Sequence, residues 1–369
     1  MKKSLVATVA GLSLLGVAGC SQGSESPGAA TPNANAESAT VATATGTAPA
    51  PFDQPGVPVA LVQNTGQGDY FQQYLNGTKK QAEALKMKLT VYDAQGDNAQ
   101  QATQLDQAIA SGAKGIIVRH GFPDTLCPGV NKALDQGIKV VIYDVEIQKC
   151  APRAVQTQQS DAQMAGLVLD QMKKDIGTDK PVGYVNVAGI APLDRRDAVW
   201  KKYLTENSWT QKFKTGKYTP STATDTAPMV DNALKSNADV VAVYAPYDEL
   251  TKATLSALQQ NPNLKGKVKV YGADISTADI ELMSALDSPW VATGATDPNA
   301  IGATVLRTLA LDMAGQVKEG DKRDFPPILV TSQMLRDKGI KNMADLRKAE
   351  PSLNISKVSS ADWIPSVSF

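Results

Sequence analysis

Short, continuously apolar runs alternate with longer amphipathic stretches along most of this 369-residue chain. Residues 57–62 are apolar, and apolar side chains then recur at helical spacing between residues 70 and 85. The same unit repeats, with apolar runs at residues 89–92, 115–118, 140–143, 182–187, 240–244, 268–272 and 290–295. Runs that are apolar throughout are typical of parallel strands covered by helices on both faces. Because the rhythm breaks near residues 159–161, the sequence predicts an α/β protein with two doubly wound, Rossmann-like lobes.

The first residues have the layout of a secretory signal peptide. Two lysines precede an apolar run over residues 5–17, which is shorter than the roughly 20 residues of a membrane span. The run ends in Val17-Ala18-Gly19-Cys20, which resembles the bacterial lipobox, whose cysteine is lipidated and becomes the mature N-terminus. We therefore expect a signal peptide over residues 1–19 and an exported protein anchored to the membrane through Cys20. A plain signal peptide with a chance cysteine is the alternative.

The segment after Cys20 has the composition of a disordered chain. Residues 21–51 are almost wholly Ser, Ala, Thr, Pro, Gly and Asn, without apolar periodicity. We therefore assign residues 20–55 to the lipidated cysteine and a disordered tether. The folded body is expected to begin near Gly56.

Charge and composition narrow the function. The 37 basic and 37 acidic residues balance, and no basic block is present, which argues against nucleic acid as a partner. His120 is the single histidine, so a catalytic triad or a histidine-rich metal site lacks material, and we expect neither an enzyme nor a cofactor. In an exported chain Cys127 and Cys150 indicate a disulfide, with two buried thiols as the alternative.

Charged and aromatic residues follow the predicted strands in both lobes. Ligands of doubly wound sheets bind at the carboxyl ends of the strands. Surface loops are polar in any case, so a single such residue carries little weight. Six of them, spread over two lobes, favour a ligand cleft between the lobes: Tyr70, Arg119, Asp144, Arg195, Tyr247 and Asp274.

Several segments resemble the ribose-type (type I, LacI/ribose-like) periplasmic sugar-binding proteins in order and spacing. They are Leu61-Val62, Tyr70-Phe71, Gly77, residues 82–85, residues 91–97, residues 142–144, Asp248-Glu249 and residues 271–274. The resemblance implies a monomeric substrate-binding lipoprotein that closes like a hinge on a monosaccharide or sugar alcohol and delivers it to an ABC-type permease. It implies crossings near residues 159–161, 296–297 and 328–331. The first lobe would then hold residues 56–160 and 297–329, and the second residues 161–296 and 330–369.

The resemblance also assigns roles to individual residues. Tyr70 and Phe71 would stack on the sugar, although both could instead pack the first helix. Asp144 and Asp274 would bind hydroxyls from opposite lobes, with a helix N-cap as the alternative for Asp274. Aromatic rings suit the apolar faces of a sugar, and carboxylates suit its hydroxyls.

Departures from the family pattern put ribose itself in doubt. Val145 stands where an arginine is usual, so Arg119 could supply the charge. Tyr247 replaces an asparagine and Thr296 a glutamine, and both remain candidate ligand residues. Gly68 replaces another asparagine, for which Asn64, Gln67 or Asp69 could substitute.

Three assignments stay open or carry alternatives. In the Arg195-Arg196 pair we assign Arg195 to the ligand and Arg196 to a structural ion pair. His120 is interpreted as a loop residue or as a group behind the binding residues. Residues 334–369 extend beyond the ribose-type core, and Trp363-Ile364-Pro365 is expected to pack on the second lobe. A receptor for a sensor kinase or chemoreceptor, and a glycosidase-like enzyme, are the alternative functions.

Overall fold

Two α/β lobes make up the computed structural model, which describes residues 39–369. A short strand, β1 (Thr40–Val41), comes first. The first lobe then forms from β2 (Pro58–Gln63), α1 (Asp69–Ala84), β3 (Lys88–Asp93), α2 (Asn98–Ala110), β4 (Gly115–Arg119), α3 (Pro123–Asp135), β5 (Lys139–Tyr143) and β6 (Val155–Gln159).

The second lobe follows without interruption. It contains α4 (Asp161–Ile176), β7 (Pro181–Val185), α5 (Ala191–Glu206), β8 (Thr210–Thr215), α6 (Thr222–Ser236), β9 (Ala242–Ala245), α7 (Asp248–Gln259), β10 (Lys269–Ala273), α8 (Thr277–Ser284) and β11 (Trp290–Ala295). The remaining elements are α9 (Pro298–Met313), β12 (Lys322–Phe325), β13 (Ile328–Thr331), α10 (Ser332–Asp337), α11 (Met343–Ala349) and β14 (Val367–Ser368), with 3-10 turns at Pro262–Leu264 and Pro351–Leu353.

Each lobe is built on a six-stranded sheet. The first has the order β12-β6-β5-β4-β2-β3 with all pairs parallel, and the second has the order β13-β11-β10-β9-β7-β8. In the second sheet only β13 runs antiparallel to its neighbour among the described strands. Central strands such as β4 are buried over their whole length, because helices cover both faces. The predicted two-lobed α/β fold is confirmed.

The chain passes between the lobes at three places in the ribose-type core. Sheet membership puts these crossings at residue 160, at residues 296–297 and at residues 326–327. The third lies just before the predicted position, since β13 already belongs to the second sheet. Helix α9 returns to the first lobe and packs closely on α1. A side chain at Gly77 would collide with the carbonyl of Asn299, so this contact requires glycine.

The C-terminal segment corrects the predicted lobe assignment. In α11, the amide of Met343 donates to Thr277 Oγ1 of the second lobe at 3.2 Å. Farther on, the buried Arg307 of α9 donates to the carbonyls of Ile355 and Val358 at 3.0 and 3.1 Å. A buried guanidinium needs acceptors, and the returning backbone supplies them. Residues 351–369 therefore lie on the first lobe rather than the second, and residues 343–369 form a fourth link that we call the C-terminal strap.

Part of the predicted tether is ordered against this strap. Strand β1 pairs antiparallel with β14, and the amides of Thr45 and Gly46 donate to the Asp362 carbonyl at 2.8 and 2.9 Å. Phe52 stacks on Trp363 with 5.1 Å between ring centroids. The prediction of disorder is therefore wrong for residues 39–55, because backbone pairing holds a segment with few apolar side chains. The predicted signal peptide and Cys20 lie outside the described residues.

The disulfide and the expected absence of a membrane-spanning helix in the folded body are the remaining structural predictions. Cys127 in α3 and Cys150 in the loop after β5 form the expected disulfide, with 5.9 Å between their Cα atoms. It links two surface segments of the first lobe. Over residues 39–369, no helix is both long and apolar enough to span a bilayer.

Candidate functional site

A cavity lies between the lobes, where the carboxyl ends of both sheets meet. Its lining comes from both lobes, including the last residue of β6 before the first crossing, and it is more aromatic and aliphatic than charged. The lining residues are Tyr70, Phe71, His120, Gln159, Ile190, Pro192, Leu193, Arg196, Tyr218, Tyr247 and Asp274.

Three residues that follow strands have a backbone in the left-handed region. His120 after β4, Asp144 after β5 and Asp274 after β10 have φ values of 52°, 53° and 73°. Non-glycine residues rarely adopt this conformation, and those that do are concentrated at functional sites. The backbone turn at the end of each strand therefore fixes the position of the Cβ atom of His120, Asp144 or Asp274.

Aromatic rings form one wall of the cavity. Tyr70 and Phe71 meet edge to face with centroids 5.7 Å apart, and Phe71 lies 6.3 Å from Tyr247 of the other lobe. The Tyr70 hydroxyl is hydrogen-bonded to that of Tyr143. Burial raises the pKa of Tyr70 and of Tyr247, so both rings keep neutral hydroxyls. Tyr70, Phe71 and Tyr247 therefore lie together at the cavity, as expected.

The buried polar atoms near the cavity include three potential acceptors that have no hydrogen-bond partner among the described residues. They are His120 Nδ1, Asp144 Oδ2 and Asp274 Oδ1. Leaving such an atom unsatisfied costs about 1–3 kcal/mol, so their grouping favours a ligand that carries hydroxyls. Asp274 does not cap α8, as the alternative had it, because Ser276 Oγ accepts from the Asp279 amide at 3.1 Å.

Of the two adjacent arginines, Arg196 lines the cavity in place of Arg195, and it also makes the structural ion pair expected of it. Arg196 lines the cavity, where its guanidinium lies 3.5 Å from Asp274 Oδ2 and also donates to Asp161 Oδ1 at 2.8 Å. Arg195 does not line it but donates to Asp144 Oδ1 and to Asp161 Oδ2, each at 2.7 Å. Successive residues of a helix point about 100° apart, so only one of the pair can face the cavity.

Asp144 and Arg119 lie just behind the cavity wall. Asp144 is buried beside His120, with 3.8 Å between Asp144 Oδ2 and His120 Nε2. Arg119 is fully buried beneath Phe71 and Tyr74, with its guanidinium carbon 4.9 and 4.8 Å from their ring centroids. Both residues were predicted to contact the ligand, but neither lines the cavity, and each supports a lining residue from behind.

The remaining predicted residues have other surroundings. Asn64 donates to the side chains of Asn98 and Gln101 at 2.9 and 3.0 Å. Thr296 donates to Gln159 Oε1 at 2.6 Å and so orients a lining residue without lining the cavity itself. Gln67 is exposed.

Asp69 bridges the lobes in an ion cluster. Its Oδ2 accepts from Lys252 Nζ at 2.9 Å and from Ser276 Oγ at 3.1 Å, both in the second lobe. The carboxylates of Asp69, Asp248 and Glu249 are close enough together to hold a cation. Lys252 Nζ lies between them, 3.3 Å from Asp248 and 2.8 Å from Glu249, and supplies that positive charge. The cluster therefore joins α1 to α7.

Two titratable residues in the cleft have pKa values that depart from the ordinary ones. Burial and the Asp161 carboxylate raise the pKa of Asp144 to about 7, against the opposing effect of Arg195. Burial holds the pKa of His120 well below its usual range, and the neighbouring guanidinium groups lower it further, with Arg119 having the largest effect among them. His120 is therefore neutral at neutral pH.

Sequence reasoning missed several lining residues. His120 follows a predicted strand directly, and that position was the available signal. The other missed residues are Gln159, Ile190, Pro192, Leu193, Arg196 and Tyr218. Ile190, Pro192 and Leu193 lie at the start of α5, and apolar residues at a helix start look like core residues in a sequence, so no signal marked these three.

Comparisons with known proteins agree with this architecture. The family model for the periplasmic binding protein domain matches residues 59–316. The ribose import binding protein of Salmonella typhimurium is 27% identical over 268 residues, which cover 72% of this chain and 86% of that protein.

Two solved structures are similar over most of their length. The 5-methylthioribose transporter solute-binding protein of Thermotoga lettingae, in complex with 5-methylthioribose, is 35% identical with a TM-score of 0.81. The match covers 86% of this chain and 98% of that one. A sugar ABC transporter protein of Yersinia enterocolitica is 28% identical with a TM-score of 0.80, and the match covers 85% of this chain and 94% of that one.

Proposed function

The chain belongs to the periplasmic binding protein domain family and is a ribose-type sugar-binding protein, and on this premise we propose that it captures a sugar for an ABC-type importer. In this proposal the sugar occupies the cavity between the lobes, and the loaded protein delivers it to a membrane permease. A lipid on Cys20 keeps the protein at the outer face of the membrane, close to that permease.

One observation carries the proposal: aromatic rings and unpartnered polar atoms meet in one interlobe cavity. Tyr70 and Phe71 offer ring surface for the apolar C–H face of a sugar. Asp274 Oδ1 lines this cavity, is buried and lacks a partner among residues 39–369, and a sugar hydroxyl would satisfy it. Buried aromatic rings alone also occur in ordinary protein cores, but rings and unpartnered polar atoms together match a polyhydroxylated ring.

The apolar part of the lining narrows the ligand class. Ile190, Pro192 and Leu193 face the cavity from the start of α5, and Tyr218 extends the same side. Unsubstituted ribose offers hydroxyls on every side, whereas this surface suits an apolar group. The Thermotoga lettingae protein, 35% identical, holds 5-methylthioribose. We therefore assign the ligand to riboses with an apolar substituent on C5.

Ion pairs between the lobes stabilise the closed form of the protein. The Asp144–Arg195 and Asp69–Lys252 pairs each join the first lobe to the second. A sugar that contacts both lobes adds to these bonds and shifts the population toward the closed form. The permease would recognise the surface that closure assembles.

A thermal-shift panel tests the proposal. The purified protein is heated with ribose, 5-methylthioribose, arabinose, glucose or myo-inositol, with an amino acid as the control ligand. We expect the largest rise in Tm with 5-methylthioribose, because only it fills the apolar side. No rise with any sugar would overturn the sugar-binding proposal. If ribose raises the Tm more than 5-methylthioribose does, the assignment of an apolar substituent on C5 is wrong, but the sugar-binding proposal stands.

The membrane anchor has a separate test. Mass spectrometry of the full chain made in bacterial cells is expected to find a diacylated N-terminal cysteine at position 20. Cys20→Ala is expected to release the protein from membranes without changing its sugar affinity. An unmodified Cys20 in the mature protein would contradict the lipoprotein assignment.

A further inference from the structure

We propose that His120 is itself a ligand-binding residue, and that its imidazole accepts a hydrogen bond at Nδ1 from a sugar hydroxyl. This inference rests on the proposed function and adds a specific residue and a specific atom to it. His120 is the single histidine of the chain, which makes the inference directly observable.

The imidazole ring is held in place from two sides. It meets the Phe71 ring edge-on at 5.2 Å and the Tyr143 ring at 5.5 Å, with interplanar angles of 87° and 82°. The main chain is fixed as well: the His120 amide donates to the Tyr143 carbonyl at 2.9 Å, and its carbonyl accepts from Gln101 Nε2 at 2.9 Å. A ring fixed in this way loses little freedom when a ligand binds.

Asp144 selects the tautomer. The distance from His120 Nε2 to Asp144 Oδ2 is 3.8 Å, too long for a hydrogen bond but close enough for electrostatic attraction. When the Asp144 carboxyl is ionised, the proton of a neutral imidazole is therefore favoured on Nε2, which leaves Nδ1 with its lone pair. His120 Nδ1 is buried without a partner among the described residues, and His120 lines the cavity. An acceptor is thus available where a hydroxyl would lie.

The charges around the ring keep it neutral. Three guanidinium groups surround it, one from its own strand (Arg119) and two from α5 (Arg195 and Arg196), and Asp144 faces it from the end of β5. Together with burial, the guanidinium groups hold the pKa of His120 well below its usual range. A neutral acceptor requires a donor from the ligand, so the site should reject a sugar that lacks the matching hydroxyl.

Nitrogen NMR of the single histidine provides the first test. Spectra of protein labelled with ¹⁵N are expected to show a neutral ring protonated at Nε2, and ribose addition is expected to shift the Nδ1 resonance. A ring protonated at Nδ1, a charged ring at about pH 7, or a spectrum unaffected by bound ribose would overturn the inference. If ribose and the rest of the sugar panel fail to bind, the proposed function falls as well.

A cycle of variants and ligands provides the second test. Ribose is compared with 2-deoxyribose and 3-deoxyribose, on the native protein and on the variants H120N, H120Q and H120F. One deoxy sugar is expected to bind the native protein at least about tenfold more weakly than ribose. This loss should disappear in H120F, which keeps the ring shape without a polar atom.

The amide variants separate the two ring nitrogens. An asparagine side chain places a polar atom near Nδ1, whereas glutamine reaches the position of Nε2. H120N should therefore retain more ribose affinity than H120Q. If the deoxy-sugar loss persists unchanged in H120F while ribose still binds, His120 has no such role and the proposed function stands without it.

Discussion

Asp144 and Arg195 meet across the cleft, with 2.7 Å between Asp144 Oδ1 and Arg195 Nη2. Asp144 follows β5 of the first lobe, and Arg195 lies on α5 of the second. Asp144 is almost fully buried, so separating the lobes would return its carboxylate to water. The pair therefore stabilises the arrangement in which the lobes are together.

Removing the arginine should weaken sugar binding without unfolding the protein. Arg195→Met keeps the aliphatic length but leaves Asp144 without this partner, which penalises the closed form. We expect the Kd to rise at least about tenfold by calorimetry. Arg336→Met, an exposed arginine of α10, is the matched control and should leave the Kd unchanged. Equal affinities of R195M and R336M would contradict this role.

Much of this site was visible in the sequence because parallel strands bring their carboxyl ends together. Tyr70, Tyr247 and Asp274 were predicted from their positions after strands and Phe71 from the family resemblance, and all four line the cavity. The structure puts Arg196 rather than Arg195 in the cavity lining, and this depends on helix rotation, which adjacent identical residues do not reveal.

The fold was predicted in its core and missed at its ends. Apolar strands are read easily from a sequence, and they form the two sheets. The pairing of β1 with β14 depends on backbone groups, which residue types do not show. The return of residues 351–369 to the first lobe uses buried polar contacts, such as those of Arg307 and Gln81, and such residues look like any other polar helix position in a sequence.

Stability should depend on pH through Asp144. Its pKa is raised to about 7, so the folded protein binds this proton more tightly than the unfolded chain does. That contribution is present at low pH and is lost as pH rises toward about 7. The free energies of unfolding of the native protein and of Asp144→Asn are measured in urea between about pH 4 and about pH 7. The native protein should lose stability relative to the variant as the pH rises. The opposite slope would indicate a lowered pKa.

The C-terminal strap should stabilise the hinge through one buried ion pair. Arg347 Nε and Nη2 donate to the two oxygens of Asp297 at 2.7 and 3.0 Å. Asp297 lies in the second crossing and caps α9, so its charge would be left buried if Arg347 were removed. Arg347→Met is expected to lower the free energy of unfolding by about 3–5 kcal/mol.

A neighbouring cation controls for the loss of charge. Lys348→Met alters an exposed residue of the same helix and should change stability by less than about 0.5 kcal/mol. Arg347→Lys should recover part of the loss, because it restores the charge but not the paired geometry. If R347M is as stable as K348M in urea, the strap does not depend on this pair.

The apolar side of the cavity should set ligand preference. Leu193 is 4% exposed and lines the cavity, whereas Leu204 lies on the same helix and packs against the core of the second lobe. Leu193→Ala should lower the affinity for a C5-alkylthio ribose relative to ribose by about tenfold. Leu204→Ala should lower stability but leave that ratio unchanged. Equal ratios in both variants would place the substituent elsewhere.

A crystal structure of the protein with its tightest-binding sugar tests the central claim most directly. The account predicts a sugar between the lobes, stacked on Tyr70 and Phe71, with hydroxyls on Asp274 Oδ1 and His120 Nδ1. A sugar bound outside this cavity, or one that contacts a single lobe, would contradict it.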